Sequence, residues 1–182
     1  IWESGLSDWE WIIAVNLWGV IHGIRVFIPI MLSQDSEGHV VNTASTAGLL
    51  PYHPGAGYQV TKHAVVALSE HLYRSLAEQG AKIKASVLCP GFVRTRIFSS
   101  LRNRPVEFQA DSSTKPLSPE EEEATWNYLQ NQFKVMSPEQ VADDVFAAVK
   151  EERFYILTHP EKEDGRYSPG TKSNDYPSIP PE

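Results

Sequence analysis

Gly38-His39-Val40-Val41-Asn42-Thr43-Ala44-Ser45-Thr46-Ala47-Gly48 is the stretch that decides the fold. Glycine opens a short β-branched run, His39 to Thr43, that reads as a buried strand. Gly48 to Gly57 is a loop rich in glycine and proline. From about Tyr58 to Gln79 the pattern is helical, with Gly80 as its stop. Lys82 to Leu88 reads as the next strand, broken by Pro90-Gly91. Two capped helices follow. Ser118 precedes Pro119 with Glu121 three residues on, and Ser137-Pro138-Glu139-Gln140 repeats the device ahead of an amphipathic helix to about Lys150. Phe154 to Thr158 is a last short strand. Upstream, Ser7 or Asp8 can cap a long helix from Trp9 to Leu32, with Pro29 as a bend or stop. Strands alternating with helices predict an α/β fold whose parallel sheet is covered on both faces. In that class ligands gather outside the carboxyl ends of the strands. Ser45 and Pro90-Gly91 both stand there.

The 182 residues fit one domain with a real core, and 41% hydrophobic with 21% charged is a globular composition. A net charge of −7 disfavours nucleic acid or an anionic membrane as partner. Cys89 is the only cysteine, so no intrachain disulfide can form and a reducing cytoplasm is the simplest home. Cys89 lies in an apolar run and reads as an inert core residue. Trp11 to Leu32 is apolar enough to suggest a membrane span, but Asn16, His22 and Arg25 interrupt it, and a buried helix beside a sheet is the better reading. The acidic run Glu120 to Glu123 sits in a helix's first turn, where it complements the dipole rather than a metal. The histidines show no ligand spacing. No Gly-x-Ser-x-Gly elbow supports a hydrolase.

Chemistry concentrates on three side chains. Tyr58 stands four residues before Lys62, and Ser45 stands thirteen before Tyr58. On a helix, residues four apart share a face. An ammonium beside a phenol favours the phenolate, so Lys62 is expected to lower the pKa of Tyr58 from its ordinary value of about 10. A hydroxyl from a nearby strand end can hold a substrate oxygen. Those groups suffice to move a proton on or off an alcohol.

With Asn16-Leu17-Trp18-Gly19, Val40-Val41-Asn42-Thr43-Ala44-Ser45 and Cys89-Pro90-Gly91-Phe92-Val93-Arg94-Thr95 around it, this set resembles the short-chain dehydrogenase/reductase family. The resemblance is to its compact single-domain branch and covers residues 1 to about 158. It implies a doubly wound, Rossmann-like sheet and NAD or NADP as cofactor, the two not being distinguishable here. It implies that Tyr58 is the general acid/base, that Lys62 holds the nicotinamide ribose, and that Tyr58 also belongs with Lys62 to the cofactor-binding set. Ser45 would bond the substrate oxygen, and Asn16 would interrupt its helix and retain a water leading to Lys62. Pro90 and Gly91 would lie beside the nicotinamide, with the Val93 backbone and the Thr95 hydroxyl on its carboxamide or phosphate side.

The chain departs from the family at its start. Such enzymes open with a strand, a Gly-rich turn and a helix that cradle the dinucleotide phosphates. No such element occurs here, and the first residue is Ile1. The expectation is therefore the C-terminal, catalytic part of a longer domain, 1–158, followed by a mobile tail, 159–182, rich in Pro, Ser, Gly and charge. As given, the chain is expected to be inactive, with an unpaired apolar sheet edge. The complete protein would interconvert a secondary alcohol and a ketone. Leu49, Leu50, Tyr52, His53, Phe92, Ile97 and Phe98 hint at a lipophilic small-molecule substrate. Asn42 is read as an anchor of strand ends. Family resemblance also implies a homo-oligomer built through the two long helices. The alternatives are a non-enzymatic binding or assembly module that kept the fold, and an epimerase or dehydratase using the same Tyr/Lys pair.

Overall fold

In the computed structural model, which describes residues 1–2, 4–50, 55–108 and 116–159, the run around Val40 is strand β1, Gly38–Thr43. Ile83–Cys89 forms β2 and Tyr155–Leu157 forms β3. They lie in the order β1-β2-β3, and both pairings are parallel. Tyr52, His53 and the tail beyond residue 159 fall outside the described residues.

Parallel neighbours need crossover connections, which here are helices. Helix α3, Ala56–Glu78, covers one face of the sheet. Its Val65 and Val66 meet Val87, Cys89 and Phe154, and its Leu72 and Leu76 meet Ile83 and Ala85. Burying each such side chain contributes about 1.5–3 kcal/mol. Helix α5, Pro138–Lys150, covers the other face, where Val141 and Ala148 pack with Leu88, Met136 and Ile156. The helix α4, Pro119–Gln132, and α5 both begin in complete capping boxes, at Ser118 and Ser137. At the end of α3, Gly80 takes φ 61° and Ala81 N–H bonds back to Leu76 O at 2.9 Å. That left-handed turn is where glycine is needed.

Buried polar groups in this core find partners. Asn42 Nδ2 donates to Ser69 Oγ at 3.0 Å, and Ser69 Oγ donates to Val65 O at 2.7 Å. Asn42 thus ties β1 to α3. On the opposite face Ser86 Oγ donates to Arg153 O at 2.7 Å and lies 2.7 Å from His39 Nε2, stitching the three-strand region together.

The long N-terminal helix begins earlier than its sequence suggests. Helix α1 is Leu6–Ile13, entered from an extended Gly5 with no side-chain cap. Ser7 and Asp8 are not the cap because both side chains turn to Arg104. Its guanidinium lies 2.5 Å from Asp8 Oδ1 and 3.4 Å from Ser7 Oγ. Ala14–Trp18 is a π-helical turn, and α2, Gly19–Ser33, continues beyond it. Pro29 neither stops nor ends α2. It faces solvent, where water can satisfy the carbonyl left without a helical donor. The whole run, Leu6–Ser33, is long and apolar enough by length and composition to cross a bilayer. Here Ile24, Ile28 and Met31 pack it onto the sheet region, while Val26, Phe27 and Ile30 stay exposed.

Strand β1 has no outer neighbour among the described residues. A groove of about 510 Å³ runs along that edge under α2, lined by Ile24, Phe27, Val40, Val41 and Thr43 among others. Among the described residues that edge is unpaired and partly apolar. Such an edge is a template for pairing with another strand.

Candidate active site

The chain leaves β1 at Ala44 and places Ser45 in extended backbone at the carboxyl end of the sheet. Ser45 Oγ accepts from Ala47 N–H at 3.1 Å and so caps the short 3-10 turn Thr46–Gly48. That turn lies directly on α3. A Cβ built on Gly48 would stand 2.6 Å from the carbonyl oxygen of Lys62. The close approach brings Ser45 to the first turns of α3, near enough for its hydroxyl to favour the ionised form of Tyr58, while Ser45 Oγ itself donates to Pro90 O at 3.5 Å. Ser45 is therefore both a turn cap and a neighbour of the phenol.

Lys62 sits one helical turn on. Its ammonium lies over the Tyr58 ring, 5.5 Å from the centroid, and donates to Thr43 O at 3.1 Å. This geometry overturns the expected acidification of the phenol. Burial pushes the Tyr58 pKa above its ordinary value, with only the Ser45 hydrogen bond opposing it. Burial also lowers the pKa of Lys62. The ammonium reaches the ring face and a strand carbonyl, so it does not offset the desolvation of the phenolic oxygen. Tyr58 is held as a neutral phenol, the form that gives a proton away.

That state can be checked directly. Phenolate absorbance of the ligand-free protein, taken as a difference against Tyr58→Phe, is expected to appear only above pH ~10, the ordinary tyrosine value. A Tyr58 phenolate already present at neutral pH would overturn the assignment.

Asn16 lies at the centre of the π-helical turn. Turns of this kind re-aim side chains and recur at functional sites. Its Nδ2 donates to Thr61 Oγ1 at 3.2 Å, and Thr61 Oγ1 donates to Tyr58 O at 2.8 Å. Thr61 is fully buried. Sequence reasoning missed Thr61. Its placement between Tyr58 and Lys62 is visible in the sequence, but nothing in the spacing links it to Asn16.

The turn after β2 is zipped to the loop after β1. Ala44 N–H bonds Leu88 O at 2.7 Å, and Thr46 N–H bonds Pro90 O at 3.0 Å. Pro90 and Gly91 thus sit beside the Ser45 loop. Cys89 beneath them is wholly buried, and burial pushes its thiol up to about 12, so it is inert. Val93 forms a parallel bridge with Met136, made by Arg94 N–H to Met136 O at 2.9 Å and Met136 N–H to Phe92 O at 3.0 Å. Ladder alternation turns the N–H and C=O of Val93 itself to the other side. Thr95 is exposed beyond that bridge.

The structure thus joins Asn16, Ser45, Tyr58 and Lys62 around the first turns of α3, with Pro90-Gly91 alongside. The aromatic residues after the turn have packing roles of their own. Phe92 lies against Phe133 and Phe98 against Trp126, with centroids 5.1 and 4.7 Å apart. Glu123, within the acidic run, takes both its oxygens to Arg94 Nη2, at 2.7 and 2.6 Å. Among the described residues no cluster of His, Cys, Asp and Glu could hold a metal.

A family model described as short chain dehydrogenase matches residues 3–105. The "CLA biosynthesis dehydrogenase/reductase" of Lactiplantibacillus plantarum is 33% identical over 166 residues, 88% of this chain and 56% of that protein. The "C alpha-dehydrogenase" of a Sphingobium species is 29% identical over 163 residues, 90% of this chain and 51% of that protein. Among solved structures, a short chain dehydrogenase/reductase from Burkholderia phymatum in complex with NAD is 44% identical. It matches with a TM-score of 0.75, over 88% of this chain and 56% of that one. The α/β architecture is that of a Rossmann-like parallel sheet. The chain spans about half the length of the curated relatives it matches.

Proposed function

Because this chain belongs to the short-chain dehydrogenase family, we propose that the full-length protein is an NAD(P)-dependent oxidoreductase interconverting a secondary alcohol and a ketone. The observation that carries this reading is the placement of Ser45, at the carboxyl ends of parallel strands, against the first turns of α3, where Lys62 lies over the Tyr58 ring.

The chain's own residues divide the work. In reduction Tyr58, neutral by burial, donates its proton to the carbonyl oxygen; in oxidation it takes the proton back. Ser45 holds that oxygen within reach of the phenol. Lys62 holds the ribose, and Asn16, in its π-helical turn, retains a water on the path to Lys62. The donor set after β2 suits a carboxamide: Val93 beyond the Pro90-Gly91 turn offers an outward N–H and C=O, and Thr95 adds a hydroxyl. A bound nicotinamide supplies or accepts the hydride. NAD and NADP are both compatible with these residues.

The substrate is read as a small, lipophilic molecule, from the apolar residues Leu49, Leu50 and Ile97 that follow the Ser45 and Pro90-Gly91 turns in sequence. Exposed Val26, Phe27 and Ile30 on α2 and Val60 and Tyr73 on α3 support a homo-oligomer through the two long helices. Net charge of −7 supports neither nucleic acid nor an anionic membrane as partner, and the cytoplasm remains the reading for location.

The test is turnover. Full-length protein given reduced nicotinamide cofactor and a panel of ketones is expected to consume the cofactor. The 182-residue chain alone is expected neither to do so nor to bind the dinucleotide at micromolar concentration, because it carries no Gly-rich phosphate turn. Absence of turnover across ketones and alcohols would replace this reading with a binding or assembly module. Micromolar binding by the isolated chain would refute its inactivity.

A further inference from the structure

His159 stands where the sequence suggests the start of a mobile tail, yet both its ring nitrogens are engaged. Nε2 lies 3.0 Å from Lys134 O. A carbonyl only accepts, so Nε2 carries the hydrogen. In the neutral ring Nδ1 is then an acceptor, and two donors face it. Gly91 N–H lies 3.2 Å away and the Thr158 hydroxyl 2.7 Å away. Gly91 N–H also stands 3.4 Å from Thr158 Oγ1. The ring lies so close to Gly91 that a Cβ there would be 2.7 Å from both Cγ and Nδ1. Lys134 is two residues from Met136, which bridges Val93. One imidazole therefore buckles three segments: the end of β3, the Pro90-Gly91 turn, and the strip that aligns Val93.

We propose that His159 is a positioning residue for the nicotinamide-facing turn, holding Gly91 through its amide. The inference rests on the oxidoreductase reading above. It assigns His159 to the binding of the dinucleotide rather than to proton transfer.

The experiment is a set of variants in the full-length protein, His159→Ala, His159→Asn and His159→Gln, titrated with NADH and NADPH and assayed for turnover. Asparagine keeps an oxygen at about the reach of Nδ1, so it can still accept from Gly91. Glutamine keeps a donor toward Lys134 but not that acceptor. His159→Ala and His159→Gln are expected to bind the dinucleotide roughly three- to tenfold more weakly, the effect of one lost hydrogen bond. Their kcat at saturating cofactor is expected to stay within about twofold of wild type, since a loss confined to cofactor binding raises KM alone. His159→Asn is expected to restore binding. Unchanged binding in His159→Ala overturns the inference. So does equal weakening in all three variants with a parallel fall in melting temperature, which would make the ring a structural filler. If wild type itself binds neither dinucleotide, the oxidoreductase reading fails first. If wild type binds and His159→Ala binds equally, only the positioning role fails.

Discussion

Replacing Tyr58 by phenylalanine in the full-length protein is expected to lower kcat by roughly 10²–10⁴-fold, the span that a positioned acid or base contributes. The fold should survive. Phenylalanine keeps the ring that lies beneath the Lys62 ammonium and removes the phenolic oxygen alone. Ser45 retains its bond from Ala47 N–H, so the turn cap stays satisfied. Dinucleotide binding should change little, because the turn after β2 is held independently of the phenol. Near-normal turnover in this variant would end the assignment of Tyr58, whatever the family resemblance suggests. Circular dichroism and cofactor titration on the same sample separate a lost acid from a lost fold.

Gly48→Ala is expected to affect stability and rate together. The added Cβ would stand 2.6 Å from Lys62 O and 2.8 Å from Lys62 C, both backbone atoms of α3. Neither can swing aside as a side-chain end can. The turn Thr46–Gly48 must lift from the helix, at a cost of about 1–3 kcal/mol, the usual range for overpacking. Ser45 rides on that turn, so its approach to Tyr58 should loosen and kcat should fall with the melting temperature. Gly23→Ala gives a control of opposite sign. Gly23 lies within α2, and a Cβ added there would meet no atom within 4 Å. Alanine favours a helix by up to about 1 kcal/mol over glycine. If Gly48→Ala melts at or above wild type, the close approach is not what sets the Ser45 loop.

Much of the architecture was legible because local signals agreed. The runs around Val40 and Val87 are β-branched and bounded by glycine or proline, and both became parallel strands of the sheet. Ser118 and Ser137 announced their helices through capping boxes that the structure completes. The relative placement of Ser45 and Tyr58 followed from strand, loop and helix in succession. Other features depended on contacts that spacing does not encode. The run Trp9 to Leu32 is apolar on most sides, so the π-helical turn at Asn16 leaves no clear break in its periodicity. The cap at Gly5 was masked by Ser7 and Asp8, whose side chains are claimed by a distant arginine. Four residues of spacing told that Lys62 neighbours Tyr58. It could not tell that the ammonium would seat on the ring and a strand carbonyl while burial governed the phenol. His159 looked like the first residue of a tail because its partners, Gly91 and Lys134, are remote in sequence.

The unpaired flank of β1 has a consequence for Lys62. Backbone groups along a strand alternate in direction. Ala44 N–H bonds toward β2, so the carbonyl of Thr43 is aimed at the open side, and that is the acceptor Lys62 grips. A strand arriving along this flank would reach for the same row of acceptors. A strand paired there would compete with the Lys62 ammonium for the Thr43 carbonyl.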